Sequence, residues 1–254
     1  QAPSAQPEWF VCYAETLLSF ANPLQRRLAV DETPARLETA QEALNKALLL
    51  RPDDFHTQVL QAELQLLKGE WLAAEGLYQE LSNYPEAAAA EWHGRLQAGL
   101  GRACAEQGKV EAALAFLREA AQGQPHNLPL QRLLSEVYWQ AGLTDDAMLC
   151  AKQTLKLAPN NLDQLSWFAQ LSAALGDWEA GVEALQTAAQ LESDNGEIRV
   201  RLAEAQLMAG DILGAQVTLQ ELDCLAFVQG EHLRRAAYLQ LRLGNAAAAL
   251  AFLQ

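Results

Sequence analysis

Three arginines and one tryptophan are the side chains of this sequence best suited to binding chemistry. An arginine guanidinium can hold a carboxylate through two parallel hydrogen bonds. A tryptophan ring can cover the aliphatic part of a peptide, and both residue types are frequent hot spots at protein interfaces. With one acid and one amide they form a candidate peptide-binding set: Arg95, Arg102, Arg132, Glu136, Trp139 and Gln170.

A second interpretation of the arginines is structural. They can pair with Glu106 and Glu136 and only keep the surface hydrated, since exposed ion pairs contribute little free energy. The same choice applies to two pairs of aspartates. Asp53–Asp54 and Asp145–Asp146 have the composition of catalytic carboxylate pairs, but both stand at predicted helix starts, where capping explains them better.

The sequence contains no pattern typical of an enzyme. Its four histidines lie far apart, without the H-E-x-x-H or C-x-x-C spacing of metal sites. Neither a G-x-S-x-G elbow nor a glycine-rich phosphate loop occurs. The four cysteines are scattered, and we expect Cys104 and Cys150 to act as small buried hydrophobes. We therefore predict a non-catalytic protein without metal or cofactor, in a reducing, cytoplasmic compartment, with export left open.

The charge of the chain limits its partners. The formal net charge is −14, and the 18 basic residues include no run longer than two. A nucleic-acid-binding surface needs basic side chains that neutralise phosphates, so we expect a protein or peptide partner instead. No apolar stretch reaches the 18 or more residues that indicate a membrane-spanning helix.

A glycine that recurs every 34 residues predicts the elements that position these side chains. When this glycine is numbered position 15, every unit has a small residue at positions 8 and 20. Two antiparallel helices, one on each side of the glycine, pack closely only where their crossing residues are small. The glycine can end the first helix in the left-handed conformation. The series is Gly69, Gly108, Gly142, Gly176, Gly210 and Gly244, with 39 residues between the first two.

This periodic pattern resembles the tetratricopeptide repeat family. Leu100–Gly101 matches the family's L-G pair, Ser135 with Tyr138 matches its G-x2-Y step, and Gly176–Ala180 is close to its central turn. The resemblance covers most of the chain. It implies an all-α fold, a right-handed superhelical solenoid of antiparallel helix pairs, with a concave groove that holds peptides. One subclass of the family binds a terminal carboxylate with lysine at position 5 and asparagine at position 9, and no repeat here has that pair.

The repeat register predicts how the chain is divided. Ala40, Leu44 and Ala47 mark the second helix of a degenerate first repeat. The first full repeat carries five extra residues, and its helix-forming run Glu86–Glu91 predicts that the next helix is lengthened backward by about one turn. The predicted segments are a tail (1–7), the degenerate repeat (8–54), full repeats (55–93, 94–127, 128–161, 162–195 and 196–229) and a truncated last repeat (230–254).

Positions 2, 5, 9 and 12 of each first helix lie on one face, because a helix has 3.6 residues per turn. In the repeats at 94–127 and 128–161 this face carries Arg95, Arg102, Arg132 and Trp139. We therefore predict a scaffold that binds a peptide or protein segment in the concave groove. The alternatives are an assembly or spacer domain of a larger chain, and repeats that accompany a catalytic domain outside this sequence.

The last repeat predicts an incomplete packing face. Its second helix is expected from about Asn245 to Gln254, and Leu250, Phe252 and Leu253 cannot all point toward one neighbour. Terminal repeats of solenoids normally need a polar outer face. We expect either that the natural chain continues or that this end associates with another copy.

Overall fold

The computed structural model describes residues 7–21, 33–223 and 230–253, and every regular element in these ranges is helical. The fold class is all-α, as predicted. The chain divides into two compact units, residues 1–147 and 148–254, with α8 (Thr144–Leu157) spanning the division. The first unit contains α1 (Pro7–Ala21), α2 (Thr33–Leu50), α3 (Phe55–Lys68), α4 (Trp71–Leu81), a 3-10 helix (Pro85–Ala88), α5 (Ala90–Glu106), α6 (Val110–Gly123) and α7 (Leu128–Gln140). The second contains α9 (Leu162–Leu175), α10 (Trp178–Leu191), α11 (Gly196–Met208), α12 (Ile212–Asp223), α13 (Gly230–Arg242) and α14 (Ala246–Ala251).

Each periodic glycine ends the first helix of a hairpin. All six have a positive φ, between 73° and 84°, in the region that glycine adopts without strain. Gly69 after α3 and Gly176 after α9 are left-handed cap residues whose neighbouring amides satisfy the last carbonyls of the helix. The predicted break at every periodic glycine is therefore confirmed.

Small residues meet where the two helices of a hairpin cross. Ser135 at position 8 donates a hydrogen bond from Oγ to the carbonyl oxygen of Ala147 at position 20, at 2.8 Å. A Cβ added to Gly181 at position 20 would lie 3.6 Å from the carbonyl oxygen of Ala169 at position 8. The buried residues at these two positions are Ala62, Gly101, Ser135, Ala169, Ala203 and Ala237, and Ala74, Ala113, Ala147, Gly181, Ala215 and Ala249.

Consecutive hairpins pack through a second set of positions. In the first unit Tyr78, at position 24 of one hairpin, shares a buried cluster with Leu96 and Leu100, at positions 3 and 7 of the next. In the second unit Leu219 at position 24 shares a cluster with Ala236 at position 7. Position 24 of one hairpin and positions 3 and 7 of the next therefore belong to the interface between repeats.

The extra residues of the first full repeat are helical in two separate pieces. α5 begins at Ala90, four residues before position 1 of its unit, so this helix is lengthened backward by about one turn, as predicted. The prediction is wrong for Glu86–Ala89, because Pro85–Ala88 forms a 3-10 helix and Ala89 is extended. Ala87 is buried in the cluster that contains Tyr78, so tertiary packing overrides the helix propensity of the run.

Polar side chains cap the N-termini of several helices. Asp54 accepts a hydrogen bond from the backbone N–H of Thr57, which confirms its predicted capping role at the start of α3. Asp145 and Asp146 lie in the first turn of α8, where their charge complements the helix dipole. Three asparagines that the sequence analysis did not single out cap α7, α9 and α11: Asn127, Asn161 and Asn195.

The degenerate first repeat is described in part. Ala40, Leu44 and Ala47 lie in a helix, α2, as predicted, and all three are buried. The segment that precedes α2 lies outside the described residues. The same holds for the predicted tail, apart from Pro7, which is the first residue of α1.

The last helix is shorter than predicted. α14 ends at Ala251, so it does not extend through Gln254. Phe252 is buried, but Leu250 and Leu253 are 60% and 59% exposed. The prediction that these three side chains cannot all point inward is confirmed.

Candidate functional site

A cavity of about 470 Å³, open to solvent, lies in the first unit between α3, α5 and α7. Leu66 and Leu67 of α3 and Leu130 and Leu133 of α7 give it apolar walls. α5 supplies its basic groups, and α1 closes one side. Its charged side chains are Glu15, Glu63, Glu91, Arg95 and Arg102, and Tyr78 is also among the lining residues.

Arg95 is held in place by an acid on the neighbouring helix. Its Nε and Nη2 donate to the two carboxylate oxygens of Glu63, at 2.6 and 2.9 Å, and Nη1 lies 3.7 Å from Glu15. Its guanidinium also lies 5.5 Å from the ring centre of Trp92. Burial alone lowers the pKa of Arg95, but the hydrogen bonds to Glu63 and the nearby negative charges outweigh it and raise the pKa. The predicted pairing with an acid is thus correct in kind, but the partner is Glu63 and not Glu106.

Arg102 lies two turns further along the same face of α5 and differs from Arg95 in its contacts. It is partly buried and lines the cavity. Within the described ranges of the chain, it forms no hydrogen bond or ion pair. Ala98 lies between the two arginines and also lines the cavity, and its small side chain leaves the neighbouring surface of α5 open. Arg102 is therefore a cation available to an incoming carboxylate.

Tyr78 forms the floor of the cavity next to Arg102. Its ring is 1% exposed and lies under α5, where a Cβ on Gly99 would approach Tyr78 Cζ to 2.3 Å. Only glycine at position 99 lets the phenol reach this depth. Burial, and secondarily the charge of Glu63, raises the pKa of Tyr78 well above its usual value. The hydroxyl therefore remains protonated and can donate a hydrogen bond.

The candidates on α7 form a separate patch. Arg132 Nε donates to Glu136 Oε1 at 2.7 Å, one turn along the helix, as the structural interpretation of this arginine predicts. Trp139 is partly exposed. None of these three side chains lines the cavity, although other residues of α7 do.

Gln170 lies in the second unit, on α9, and its side chain is exposed. In this unit arginines are again paired along the first helices. Arg235 donates to both carboxylate oxygens of Glu204, at 3.1 and 2.6 Å, and these hydrogen bonds raise the pKa of Arg235. Arg201 donates to the carbonyl oxygen of Ser166 at 3.1 Å.

Sequence reasoning missed Glu63, Tyr78 and Glu15 as parts of this site. Glu63 stands at position 9 and faces Arg95 at position 2 of the next repeat, a relation that the 32-residue separation conceals. Tyr78 stands in a second helix, whereas the sequence analysis placed the candidate face on the first helices. The sequence offered one signal for the position of Tyr78, namely residue size: a large tyrosine at position 24 is followed by a glycine at position 6 of the next unit.

Reactive and metal-binding side chains are not assembled in the described part of the chain. There, no group of three or more His, Cys, Asp or Glu residues could hold a metal ion. Cys104 and Cys150 are buried, as predicted, and burial raises the pKa of Cys150 to about 11. Cys12 is an exposed thiol, and Cys224 lies outside the described residues. Among the described helices, none is both long and apolar enough to cross a membrane.

Comparisons with known proteins agree with this architecture. The tetratricopeptide repeat family model matches residues 105–171 and 172–223. No curated protein is significantly similar to the chain in sequence.

Three solved structures illustrate the likeness in fold. The PilF protein of Pseudomonas aeruginosa is 17% identical, with a TM-score of 0.64 over 85% of this chain and 90% of its own. A tetratricopeptide repeat protein of Parabacteroides merdae is 12% identical, with a TM-score of 0.60 over 97% and 90%. A thermophilic one of Thermus thermophilus is 21% identical, with a TM-score of 0.60 over 80% and 100%. Identities this low bear on the fold alone.

Proposed function

Because the chain is a tetratricopeptide repeat protein, we infer that it is a non-catalytic interaction scaffold whose first unit binds a segment of a partner protein in the cavity between α3, α5 and α7. The observation that supports this most is Arg102, a guanidinium in an open cavity with apolar walls and without a partner among the described residues. The segment it fits carries an aspartate or glutamate flanked by apolar side chains.

The cavity offers two donors to such a carboxylate. The Arg102 guanidinium supplies N–H groups and full charge, and the protonated Tyr78 hydroxyl can supply a further hydrogen bond from the floor. Arg95 is less available, since a ligand would have to displace Glu63 from a bidentate pair. Arg95 and Glu63 therefore shape the wall, and Arg102 anchors the ligand.

The remaining predicted residues lie outside the cavity, on α7 and α9. A longer ligand could contact the indole of Trp139 and the Arg132–Glu136 pair on α7, both partly exposed. Gln170 is proposed as a separate polar contact of the second unit. A net charge of −14 favours a protein partner over nucleic acid. The described cysteines remain thiols, which is compatible with a cytoplasmic location.

Selection from a random peptide library displayed on phage tests this proposal. Wild-type protein should enrich peptides with an acidic residue between apolar ones. The enriched peptides should bind the Arg102→Gln variant roughly tenfold or more weakly, since a hydrogen bond to a charged group contributes about 1.5–3 kcal/mol. The triple change of Arg95, Arg102 and Arg132 to Ala should weaken binding at least as much, with unchanged helical circular dichroism.

The matched control is Arg118→Gln. Arg118 is exposed on α6, outside the cavity, and contacts Tyr138. Its loss removes the same charge and should leave affinity unchanged. Equal binding by the Arg102 variant and the wild-type protein would show that the ligand uses another surface, which would favour the alternative of an assembly or spacer domain.

A further inference from the structure

The cavity of the first unit is unevenly charged along its length. Apart from Arg102, its charged side chains are three acids and one arginine: Glu15, Glu63, Glu91 and Arg95. Arg95 pairs with both carboxylate oxygens of Glu63 and also lies 3.7 Å from Glu15. One guanidinium therefore faces two acids, and Glu91 adds a third negative charge to this part of the cavity.

Glu91 and Arg102 stand on one face of α5. Eleven residues lie between number 91 and number 102, which corresponds to three turns plus about 20° and to about 16 Å along the helix axis. Arg95 and Ala98 lie between them on the same face, and all four residues line the cavity. The cavity thus follows α5 for about 16 Å, with an acid at one end and a cation at the other.

Glu91 is not neutralised by the protein around it. Its side chain is exposed and forms no hydrogen bond or ion pair with any residue of the described ranges. Arg95, one turn away, directs its guanidinium to Glu63 instead. Gln124, which lies so close to Gly94 that a Cβ there would approach its Nε2 to 2.7 Å, lines the cavity but carries no charge. The Glu91 carboxylate is therefore available to a cation of a ligand.

The dimensions of the cavity favour an extended ligand over a helical one. Five residues of extended chain span about 16 Å, at about 3.3 Å per residue. A helix about 10 Å across and about 16 Å long would fill about 1,300 Å³. The cavity volume is about 470 Å³, so an extended segment fits it better.

We propose that the cavity binds an extended segment in one direction only, because Arg102 pairs with an acidic residue of the segment and Glu91 with a basic residue about five positions away. This inference rests on the proposed function and adds the second charge of the ligand. In the reversed direction like charges would meet at both ends, which opposes binding. Arg102 is partly buried and supplies affinity, whereas the exposed Glu91 mainly determines direction.

Peptide selections on phage with the wild type and with the Glu91→Lys variant test the proposal. Wild-type protein should enrich peptides that carry an acidic residue and, about five positions away and always on the same side of it, a basic residue. The variant should still enrich the acidic residue but no longer the basic one. Wild-type peptides with a basic residue on either side, at no fixed spacing, or absent would overturn the proposal.

Affinities for one enriched peptide measure the contribution of Glu91. Glu91→Gln should weaken binding about two- to fivefold, as expected for an exposed ion pair. Replacing the basic residue of the peptide by glutamine should weaken its binding to wild type by the same factor, and should cause no further loss with the variant. Equal losses for both peptides on Glu91→Gln would show that Glu91 does not contact the basic residue.

The matched control is Glu111→Gln. Glu91 is the second residue of α5 and Glu111 the second residue of α6, and both are exposed, but Glu111 lies outside the cavity. The control therefore removes the same charge and the same favourable interaction with a helix dipole. It should bind the peptide like wild type, and every variant should keep the wild-type circular dichroism. Equal binding by the two glutamine variants would overturn the proposal.

Failure of this inference is distinguishable from failure of the proposed function. Peptides whose binding depends on Arg102 but not on Glu91 would overturn the assigned direction alone. Peptides that bind Arg102→Gln as tightly as wild type would overturn the proposed function, and this inference with it.

Discussion

At one junction in each unit, positions 24 and 6 of consecutive hairpins carry one large and one small residue, but in the opposite order. In the first unit position 24 is Tyr78 and position 6 of the next helix is Gly99. In the second unit the same positions are Ala151 and Trp167, and both are buried. Of these two arrangements, only the first places a tyrosine of a second helix among the residues that line the cavity.

A similar contrast holds at position 9 of the two first helices. Arg102 on α5 is partly buried beside the Tyr78 ring, whereas Gln170 on α9 is exposed. The repeat frame therefore fixes where helices cross, but it does not fix the chemistry of the ligand-facing surface. At these two junctions the surface differs with the helix that supplies the larger residue.

The largest effect is expected at a helix crossing, where both units follow the same rule. Ala169→Leu in the second unit should lower the free energy of unfolding by up to about 3 kcal/mol, because overpacking a tight crossing forces strained rotamers or a backbone shift. Thermal denaturation followed by circular dichroism measures the change. Gln170→Leu, next to it on the exposed face, is the control and should change stability little. A tolerated leucine at position 169 would contradict the assignment of position 8 as a crossing.

A smaller effect is expected where the units differ. Gly99→Ala should destabilise by about 1–2 kcal/mol, because its Cβ would clash with the Tyr78 ring and this outweighs the gain in helix propensity. Gly181→Ala in the second unit gains the same propensity with only an ordinary contact to Ala169, so it should be neutral or stabilising.

Urea titrations of both glycine variants, alone and in a Tyr78→Leu background, measure this difference. Removing the ring should abolish the penalty of Gly99→Ala. A penalty of equal size in both backgrounds would mean that the ring is not what excludes a side chain at position 99.

The smallest effect is expected from an acid present in the first unit only. Glu75 at position 21 accepts hydrogen bonds from Lys109 Nζ at 2.7 Å and Gln107 Nε2 at 2.8 Å, which lower its pKa from 4.5. In the second unit this position holds Met148, Val182, Gln216 and Leu250. Since the folded pKa lies below the unfolded one, the stabilisation is complete at neutral pH and is lost as pH falls through the folded pKa.

Wild type should therefore exceed Glu75→Gln in stability at pH 7 by less than about 1 kcal/mol, because the Lys109 side chain is nearly half exposed and its charge is screened by solvent. The difference should vanish on acidification below pH 4.5 toward the folded pKa. Denaturation at several pH values measures it, with the exposed Glu80→Gln as control. A gap that persists in acid would assign the effect to packing of the glutamate.

The sequence was sufficient for the hairpin frame but not for the cavity. The period of the glycines indicates where the backbone is left-handed, and the small residues indicate where two helices approach closely. Gly142 could therefore be assigned to a helix end, and Ser135 to a helix crossing, from spacing alone. The Arg132–Glu136 pair was also predictable, since it spans one helical turn. The Arg95–Glu63 pair and the position of Tyr78 beneath Gly99 depend on how adjacent hairpins face each other and on side-chain rotamers. The spacing of residues in the sequence gives no information on either point. The unpaired state of Arg102 among the described residues could therefore not be predicted.

The central claim is that Arg102 anchors a carboxylate of the bound segment, and a double-mutant cycle tests it most directly. Affinities would be measured for wild type and Arg102→Gln, each with a selected peptide and with the same peptide in which its acidic residue is replaced by the matching amide. We predict a coupling free energy of about 1.5–3 kcal/mol between the two changes, as for a hydrogen-bonded charged pair. Additive effects, with coupling near zero, would contradict the claim even if both single changes weaken binding.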